Sequence, residues 1–484
     1  MHGIVVRAAA YVASVFSLYI AAVMLIPAAV DLYYGHSDWQ IFTFCALATG
    51  AVALTVAAAT RGRAPVRSTR LAFFVVVVLW VTLAVVGALP IYVALDISFA
   101  GAIFESVSAI TTTGSTVIVG LDDLPPGVLL WRSLLTGVGG LGVVVLGLFF
   151  LPLLNVGGFS YFQIESSDIE ERPFDRLASF LRALVAIYVI LTVLCALAYA
   201  MAGMSTFDAI NHAMSTLATG GFSTHDASFG HFEDNWTVLW VGTIFMILGA
   251  LPFSILILFV VRGRLDALRD PQIRLFLAYT AVIVIAVAVH RRVVNEVPFG
   301  EALTSSAFNL VSIITTTGFA SEDYTLWEPF AVMMVFFATF LGGCSGSTSG
   351  AIKAYRFFVL GRMLQNGLRT LIYGRSVQPL RYGSRIIDEE MQRSVVLFMI
   401  AFFAVWVGGS VLLAAGNIDI VTALTASLTA VTNVGPGLGP IIGPAGNFST
   451  LSDYALWVLS ACMLLGRLEI LAVFVLLTPT FWRN

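Results

Sequence analysis

Four short polar runs in this chain close on a glycine: Thr112-Thr113-Gly114-Ser115, Thr219-Gly220-Gly221-Phe222, Thr316-Thr317-Gly318-Phe319 and Asn433-Val434-Gly435-Pro436. What such runs can offer is backbone oxygen. A cation entering a membrane must exchange its hydration shell for fixed oxygens, and rings of backbone carbonyls from four loops around an axis provide them. A carbonyl points inward only where the backbone leaves ordinary helical and strand geometry, which glycine permits at least cost. Taken singly, T-T-T-G reads as a helix C-cap with a left-handed glycine. Four copies at matched places turn the reading to a ring. The match extends outward from each glycine: two positions earlier stand Thr112, Thr219, Thr316 and Asn433, and six positions earlier Ser108, Ser215, Ser312 and Thr429, a hydroxyl every time. Ten positions earlier, Phe104, Asn211, Phe308 and Thr425 no longer agree.

Two further features carry chemistry. Gly342-Gly343-Cys344-Ser345-Gly346-Ser347-Thr348-Ser349-Gly350 places small or polar residues in a row inside an apolar run. Each glycine costs a helix about 1 kcal/mol relative to alanine. Unwound backbone survives at membrane depth only beside a cavity or buried protein. Close helix packing through Gly346-x-x-x-Gly350 would need small residues on one face only, so an unwound loop in or under a pore is expected. Arg467 stands in the last apolar run, between Gly466 and Leu468. A charge at that depth costs at least about 2.5 kcal/mol and needs a partner (Glu105, Glu469 or backbone carbonyls) or a function, here a positive barrier to cations. Glu105 reads as a structural hydrogen-bonding partner rather than an ion ligand.

Other motifs weigh less. Gly137-Val138-Gly139-Gly140-Leu141-Gly142 fits GxGxxG but lies in an apolar span with no preceding strand, so it reads as helix packing. Gly343-Cys344-Ser345-Gly346 matches the GxSG of intramembrane serine proteases, yet His212 falls in a short apolar helix and His290 at a span end, leaving no base in reach. His225, Asp226, His231 and Glu233 could hold a metal, but an exposed polar loop is the better reading. The acidic loops as a group would concentrate cations. Cys45, Cys195, Cys344 and Cys462 are singletons in apolar runs and read as buried small residues.

The elements that must position these groups are membrane helices. Of 484 residues, 59% are hydrophobic and 11% charged, well below the quarter typical of soluble chains. Two spans come first, Ala8–Val30 and Ile41–Ala59; the first follows Arg7 and is too long for a signal-peptide core. A unit then repeats: full span, short segment, polar run, acidic loop, full span. Its members are Leu71–Val93, Ile97–Ile110 and Val128–Leu154; Phe180–Ala202, Thr206–Leu217 and Trp236–Val261; Ile273–Val289, Glu301–Ile314 and Phe330–Leu360; Val395–Ala415, Ile420–Val431 and Tyr454–Thr478. About 14 helical residues cover only about 21 Å, so the short segments read as re-entrant half-helices. The expected organisation is all-α and polytopic: two leading helices at 1–66, then pseudo-symmetric repeats at 67–156, 157–264, 265–375 and 376–484 around one pore. Arg61, Arg63, Arg67 and Arg70, then Arg262, Arg264, Arg269 and Arg274, and the basic stretch 353–393 that ends at Arg393 place both termini in the cytoplasm. Arg291 and Arg292 dissent. No basic block has the aromatic interleaving of a nucleic-acid surface.

These runs together resemble the pore-forming subunit of the Trk/Ktr/HKT superfamily of potassium transporters, TrkH type. The matching stretches are SAITTTGSTV (108–117), STLATGGFSTHDAS (215–228), VSIITTTGFAS (311–321), LGGCSGSTSGAIK (341–353), TNVGPGLG (432–439), MLLGRLEI (463–470) and LLTPTFW (476–482). The resemblance implies potassium uptake across the bacterial cytoplasmic (inner) membrane, with K+ as transported ion and Rb+ also permeant, and no covalent cofactor. It implies potassium selectivity, since a serine in place of the first glycine accompanies sodium permeation in the superfamily. The filter positions carried over are the four runs named at the outset, with 342–350 and Arg467 as gate. It implies a homodimer in membrane lipid and a cytosolic nucleotide-binding regulatory subunit (a TrkA-like ring), for which 353–393 has the length and charge. The alternative is a proton- or sodium-coupled symporter, which would also use broken helices but more naturally shows two inverted halves.

Overall fold

In lipid only a helix satisfies its backbone within one segment, and the apolar runs of this chain fold accordingly. The structure, a computed structural model, describes residues 2–62, 69–149, 173–263, 269–374, 379–383 and 385–482. The repeat boundaries at 66/67, 156/157, 264/265 and 375/376, the end of the span Val128–Leu154, and Arg63, Arg67, Arg264 and Arg375 lie at or outside the limits of the described residues.

Two leading helical segments, α1 (His2–Val23) running into α2 (Leu25–Tyr34), and α3 (Trp39–Thr60), pack together. The first repeat comprises α4 (Thr69–Ala94), α5 (Phe99–Ile110) and α6 (Pro126–Phe149); the second α7 (Pro173–Met201), α8 (Thr206–Leu217), α9 (Trp236–Gly249) and α10 (Phe253–Arg262). The third has α11 (Pro271–Val294), α12 (Phe299–Ile314), α13 (Pro329–Ala338) and α14 (Ala354–Tyr373). A hairpin of β1 (Arg381–Tyr382) and β2 (Arg385–Ile386) follows. The fourth has α15 (Glu389–Ala415), α16 (Ile420–Thr432), α17 (Asp453–Arg467), α18 (Ile470–Leu477) and the single turn α19 (Pro479–Trp482). Among the described residues 7 helices are long and apolar enough to cross a membrane, or up to 9 with each bent pair taken as one span.

The short helices α5, α8, α12 and α16 are almost wholly buried at their C-terminal halves. Ser98, Ser205 and Asp419 cap three of their N-termini, accepting from Gly101, Asp208 and Thr422 N–H; α12 starts without a side-chain cap. Each packs against the first span of its own repeat, and α8, α12 and α5 pack in turn against α6, α9 and α17 of the repeat before. The contact of α17 with α5 closes the circle from the fourth repeat to the first.

The second spans of repeats two to four are broken, more often than the sequence indicates. The run Trp236–Val261 bends by 98° between α9 and α10, and Tyr454–Thr478 by 109° between α17 and α18. The first break lies at Pro252, which has no N–H to give; the second lies at Glu469, whose φ is +57°. In repeat three, 339–353 is unwound between α13 and α14. The broken ends satisfy one another: Cys344 N–H donates to Ala250 O at 2.8 Å and Phe253 N–H to Gly346 O at 3.0 Å. The GxGxxG run is continuous helix, as read: a side chain at Gly139 would meet Ile110 O at 2.0 Å and one at Gly140 the Ala218 Cβ at 2.7 Å.

Candidate functional site

Each of the four short helices ends the same way. In repeat one, Thr113 N–H donates to Ser108 O at 2.8 Å and Thr112 N–H to Ala109 O at 3.0 Å, the paired bonds of a Schellman motif. The same long bond joins Gly220 to Ser215 and Thr317 to Ser312 at 2.8 Å, and Val434 to Thr429 at 3.0 Å. The hydroxyl residues six before each glycine are therefore the carbonyl acceptors of the caps. The left-handed cap is not the glycine but the residue two before it: φ is +53° at Thr112, +52° at Thr219, +60° at Thr316 and +57° at Asn433. The glycines are left-handed a second time, at +88°, +70°, +87° and +109° for Gly114, Gly221, Gly318 and Gly435. A backbone whose φ alternates in sign follows neither helix nor strand, in both of which successive residues keep negative φ.

The runs meet in a ring. A Cβ at Gly114 would stand 2.6 Å from Gly220 O, at Gly221 2.1 Å from Thr317 O, at Gly318 2.0 Å from Val434 O, and at Gly435 2.6 Å from Thr113 O. Each glycine thus admits the carbonyl of the next run, and the fourth admits that of the first. Ser115 Oγ adds a bond to Gly435 O at 3.0 Å, and Asn433 Nδ2 one to Thr113 Oγ1 at 3.0 Å. Phe222 lies under the Arg132 guanidinium at 4.2 Å and lines a recess beside the ring, and Phe319 packs against Phe229 at 4.5 Å. Gly114, Gly221, Gly318 and Pro436 share the lining of this recess, of about 70 Å³, on the acidic-loop side.

Glu105 is the structural hydrogen-bonding partner expected, and it belongs to a supporting layer whose other members the sequence reading did not single out for this role. Nine positions before the glycine, Glu105, His212 and Asn309 reach across to the chain leaving each run. Glu105 accepts from Val117 N–H at 3.0 Å and Thr116 Oγ1 at 3.0 Å, and is paired with buried Arg132 at 2.8 Å. His212 Nε2 lies 3.0 Å from Ser223 Oγ. Asn309 accepts from Ser321 N–H at 3.1 Å. In repeat four the role passes to Thr425, whose hydroxyl accepts from Leu438 N–H at 3.2 Å. Alignment at nine rather than ten positions exposes three buried polar residues, the signal that was available.

The segment 342–350 lies across the other end of the ring. Thr348 Oγ1 sits 3.0 Å from both Leu217 O and Gly249 O and accepts from Thr219 Oγ1 at 3.2 Å. Gly350 N–H donates to Thr316 Oγ1 at 2.7 Å, and Ser349 Oγ lies 3.3 Å from the same hydroxyl. Ala351 N–H donates to Thr432 O at 2.9 Å. Gly342, Gly343, Cys344, Ser345, Gly346 and Ser347 anchor the loop away from the ring: Tyr279 donates to Gly342 O, Ser349 Oγ accepts from Gly343 N–H, and Ser345 N–H donates to Gln272 at 3.1 Å. Arg467 stands at the break of the last span rather than mid-helix. Its Nη2 donates to Thr348 O at 2.8 Å and to the Thr112 hydroxyl, joining loop and ring. Of the partners expected for it, backbone carbonyl holds, while Glu105 is taken by Arg132 and Glu469 by Arg356, with Lys353 at 4.0 Å. Two cations, Arg356 and Lys353, thus share one carboxylate beneath the ring, while Arg467 is held by the oxygens of Thr348 and Thr112.

At the acidic mouth, outside the spans, burial alone would raise the Asp122 carboxyl, but hydrogen bonds from His225 and Asp226 N–H hold it below its ordinary value. Burial would lower the His225 imidazole; Asp208 and Asp122 outweigh it and raise the ring above its usual pKa.

The sequence model of the TrkH family, described as "Cation transport protein", matches residues 39–483. The chain is 44% identical over 481 residues to the Trk system potassium uptake protein TrkI of Halomonas elongata, covering 98% of this chain and 96% of that one. It is 35% identical to the Trk system potassium uptake protein TrkH of Escherichia coli K12, covering 99% of both. The crystal structure of the potassium transporter TrkH from Vibrio parahaemolyticus superposes with a TM-score of 0.91 at 33% identity over 99% of both chains.

Proposed function

We propose that this chain, which belongs to the TrkH family of cation transport proteins, is a potassium uptake pore in which the four glycine-centred runs dehydrate and select the ion. It is a multi-span transport protein and not an enzyme. The observation that carries the reading is the reciprocal approach of the Thr113, Gly220, Thr317 and Val434 carbonyls to the glycines of the neighbouring runs. An ion in such a ring meets backbone dipoles in place of water.

In the same reading 342–350 is the gate. Its bonds to Thr219, Thr316 and, through Arg467, Thr112 occupy the inner face of the ring, and the excess positive charge of Lys353, Arg356 and Arg467 over Glu469 opposes a cation there. Opening withdraws the loop and releases Thr112 from Arg467. A regulator has a surface to act on: Arg274, Arg362, Arg369 and Arg381 line a cavity of about 490 Å³ beside α14. That basic face suits a cytosolic nucleotide-binding ring. Leu364, Leu368, Leu371 and Ile372 of α14 are exposed, and a second copy in a homodimer would cover them. Both termini face the cytoplasm of a bacterial inner membrane in this proposal.

Rubidium influx into liposomes carrying the purified chain, with and without a proton or sodium gradient, tests it. Influx that follows the rubidium gradient alone supports a pore; influx that requires either second gradient replaces it with a symporter.

A further inference from the structure

The outer loops that follow the first and second runs are locked together by imidazoles and carboxylates that supply no oxygen to the ring. The two Asp226 oxygens accept from Gly120 N–H at 3.1 Å and Leu121 N–H at 3.0 Å. In return Asp122 accepts from Asp226 N–H at 3.2 Å and bonds His225 Nδ1 at 2.5 Å. His231, on the turn Ser228–Phe232, stacks on His225 with ring centres 3.7 Å apart and planes within 2°. One ligand atom from each of Asp122, His225 and His231 lies within 4.8 Å of the others. We propose that these three residues bind a divalent transition metal ion, zinc(II) foremost, and that its occupancy slows cation entry at the mouth beside it.

Two imidazoles and a carboxylate form the donor set zinc takes when three protein ligands leave a fourth position to water. Calcium and magnesium prefer all-oxygen shells, and among first-row ions copper(II) and zinc(II) bind such donors more tightly than manganese or iron. A second, separate observation points the same way. Asp208 Oδ1 lies 3.5 Å from His225 Nε2, on the far side of the ring from Asp122. Asp208 is itself held by Ser205 Oγ and Thr224 Oγ1, each at 2.7 Å. A carboxylate placed to receive the second ring N–H fixes the tautomer and aims the other nitrogen, as behind most metal-bound histidines. His225 Nε2 is buried with no hydrogen bond of ordinary length, and the Asp208 carboxylate faces it at 3.5 Å.

Binding requires local movement. Parallel stacked rings cannot both aim in-plane lone pairs at one ion, so exposed His231 must swing. Donors about 2.0–2.2 Å from zinc stand about 3.3 Å apart, so they draw together by up to about 1.5 Å. The His225–Asp122 hydrogen bond gives way to two bonds to metal. The effect on entry, which rests on the pore reading, follows from position. His225 lines the same recess as Gly114, Gly221 and Gly318, and a fixed divalent charge there opposes approaching cations.

The test uses tag-free full-length protein in lipid nanodiscs, titrated calorimetrically with zinc, with cobalt(II) and its visible ligand-field bands as a second probe. The expected result is one zinc per chain, weakened at least tenfold in His231→Ala and in Asp122→Asn. In liposomes, zinc in the bath slows rubidium influx, a chelator restores it, and His231→Ala retains basal influx while losing the zinc effect. No saturable one-to-one binding, or binding indifferent to both substitutions, overturns the site. One-to-one binding with influx unchanged overturns the effect on entry. Absent basal influx would count against the pore and leave the calorimetric result decisive for the site.

Discussion

Alanine placed at the ring glycines one at a time should not cost the same at each, because the ring is uneven. All four glycines are left-handed, at φ from +70° to +109°, so each alanine carries the roughly 1–2 kcal/mol penalty of an L-residue in that region. Clearance then separates them. To reach ordinary contact at 3.4 Å, the opposing carbonyl must retreat about 1.4 Å at Gly318 and about 1.3 Å at Gly221, but only about 0.8 Å at Gly114 and Gly435. A carbonyl displaced by more than an ångström surrenders most of its contact with a bound ion, worth about 1.5–3 kcal/mol for a charged partner; the smaller shift forfeits part of it. At about 1.4 kcal/mol per tenfold, Gly318→Ala and Gly221→Ala should lower rubidium influx, or its preference over sodium, by about two to three orders of magnitude. Gly114→Ala and Gly435→Ala should lose about one to two. The assay is rubidium influx into liposomes at matched protein content, with sodium as competitor and thermal unfolding as a check on folding. Equal losses at all four positions, a reversed ranking, or unchanged selectivity in folded protein would refute the ring geometry.

Arg467→Ala removes the link between Thr112 and Thr348 and one positive charge beneath the ring. A unit charge about 4 Å from an ion opposes it by about 4 kcal/mol at an effective dielectric near 20, so influx should rise at least tenfold, as should a short deletion within 342–350; a fall in both, in well-folded protein, contradicts the gate. Glu105→Gln leaves buried Arg132 without its carboxylate and should destabilise the chain by about 3–5 kcal/mol, read as a large drop in unfolding temperature. Replacing both residues by apolar ones of similar size should recover much of the loss, and an unfolding temperature unmoved by the single change would show the pair to be dispensable.

Hydropathy and the repeated glycine made the span-and-half-helix plan legible before any coordinates, because both signals are local. The short helices fall within a few residues of where the apolar runs place them, and the glycines converge as fourfold repetition requires. What stayed hidden depends on partners distant in the chain. The break at Pro252 makes sense only beside Cys344 N–H, and the one at Glu469 only beside Arg356. The cap reading, set aside in favour of the ring, holds beside it at a different residue: Thr112, Thr219, Thr316 and Asn433, all buried, take the left-handed conformation. Glu105 was legible as a structural partner, but its counterparts His212 and Asn309 were invisible to a search for matching residue types, since three different side chains do one job. The sequence grouping of His225 and His231 with Asp226 and Glu233 left out Asp122, which lies in another repeat and bonds His225.

The contact of the fourth repeat with the first also bears on how the chain is made. The bonds that complete the circle, Ser115 to Gly435 and Asn433 to Thr113, each span 320 residues. A chain emerging from the ribosome therefore holds three quarters of its carbonyls in an open arc, with no partner for Gly318 until nearly the whole sequence has been synthesised. Long-range closure of this kind is slow and exposes unpaired polar surface meanwhile. Chains cut short anywhere before the final run should not yield weaker pores but none, and are natural targets for membrane quality control.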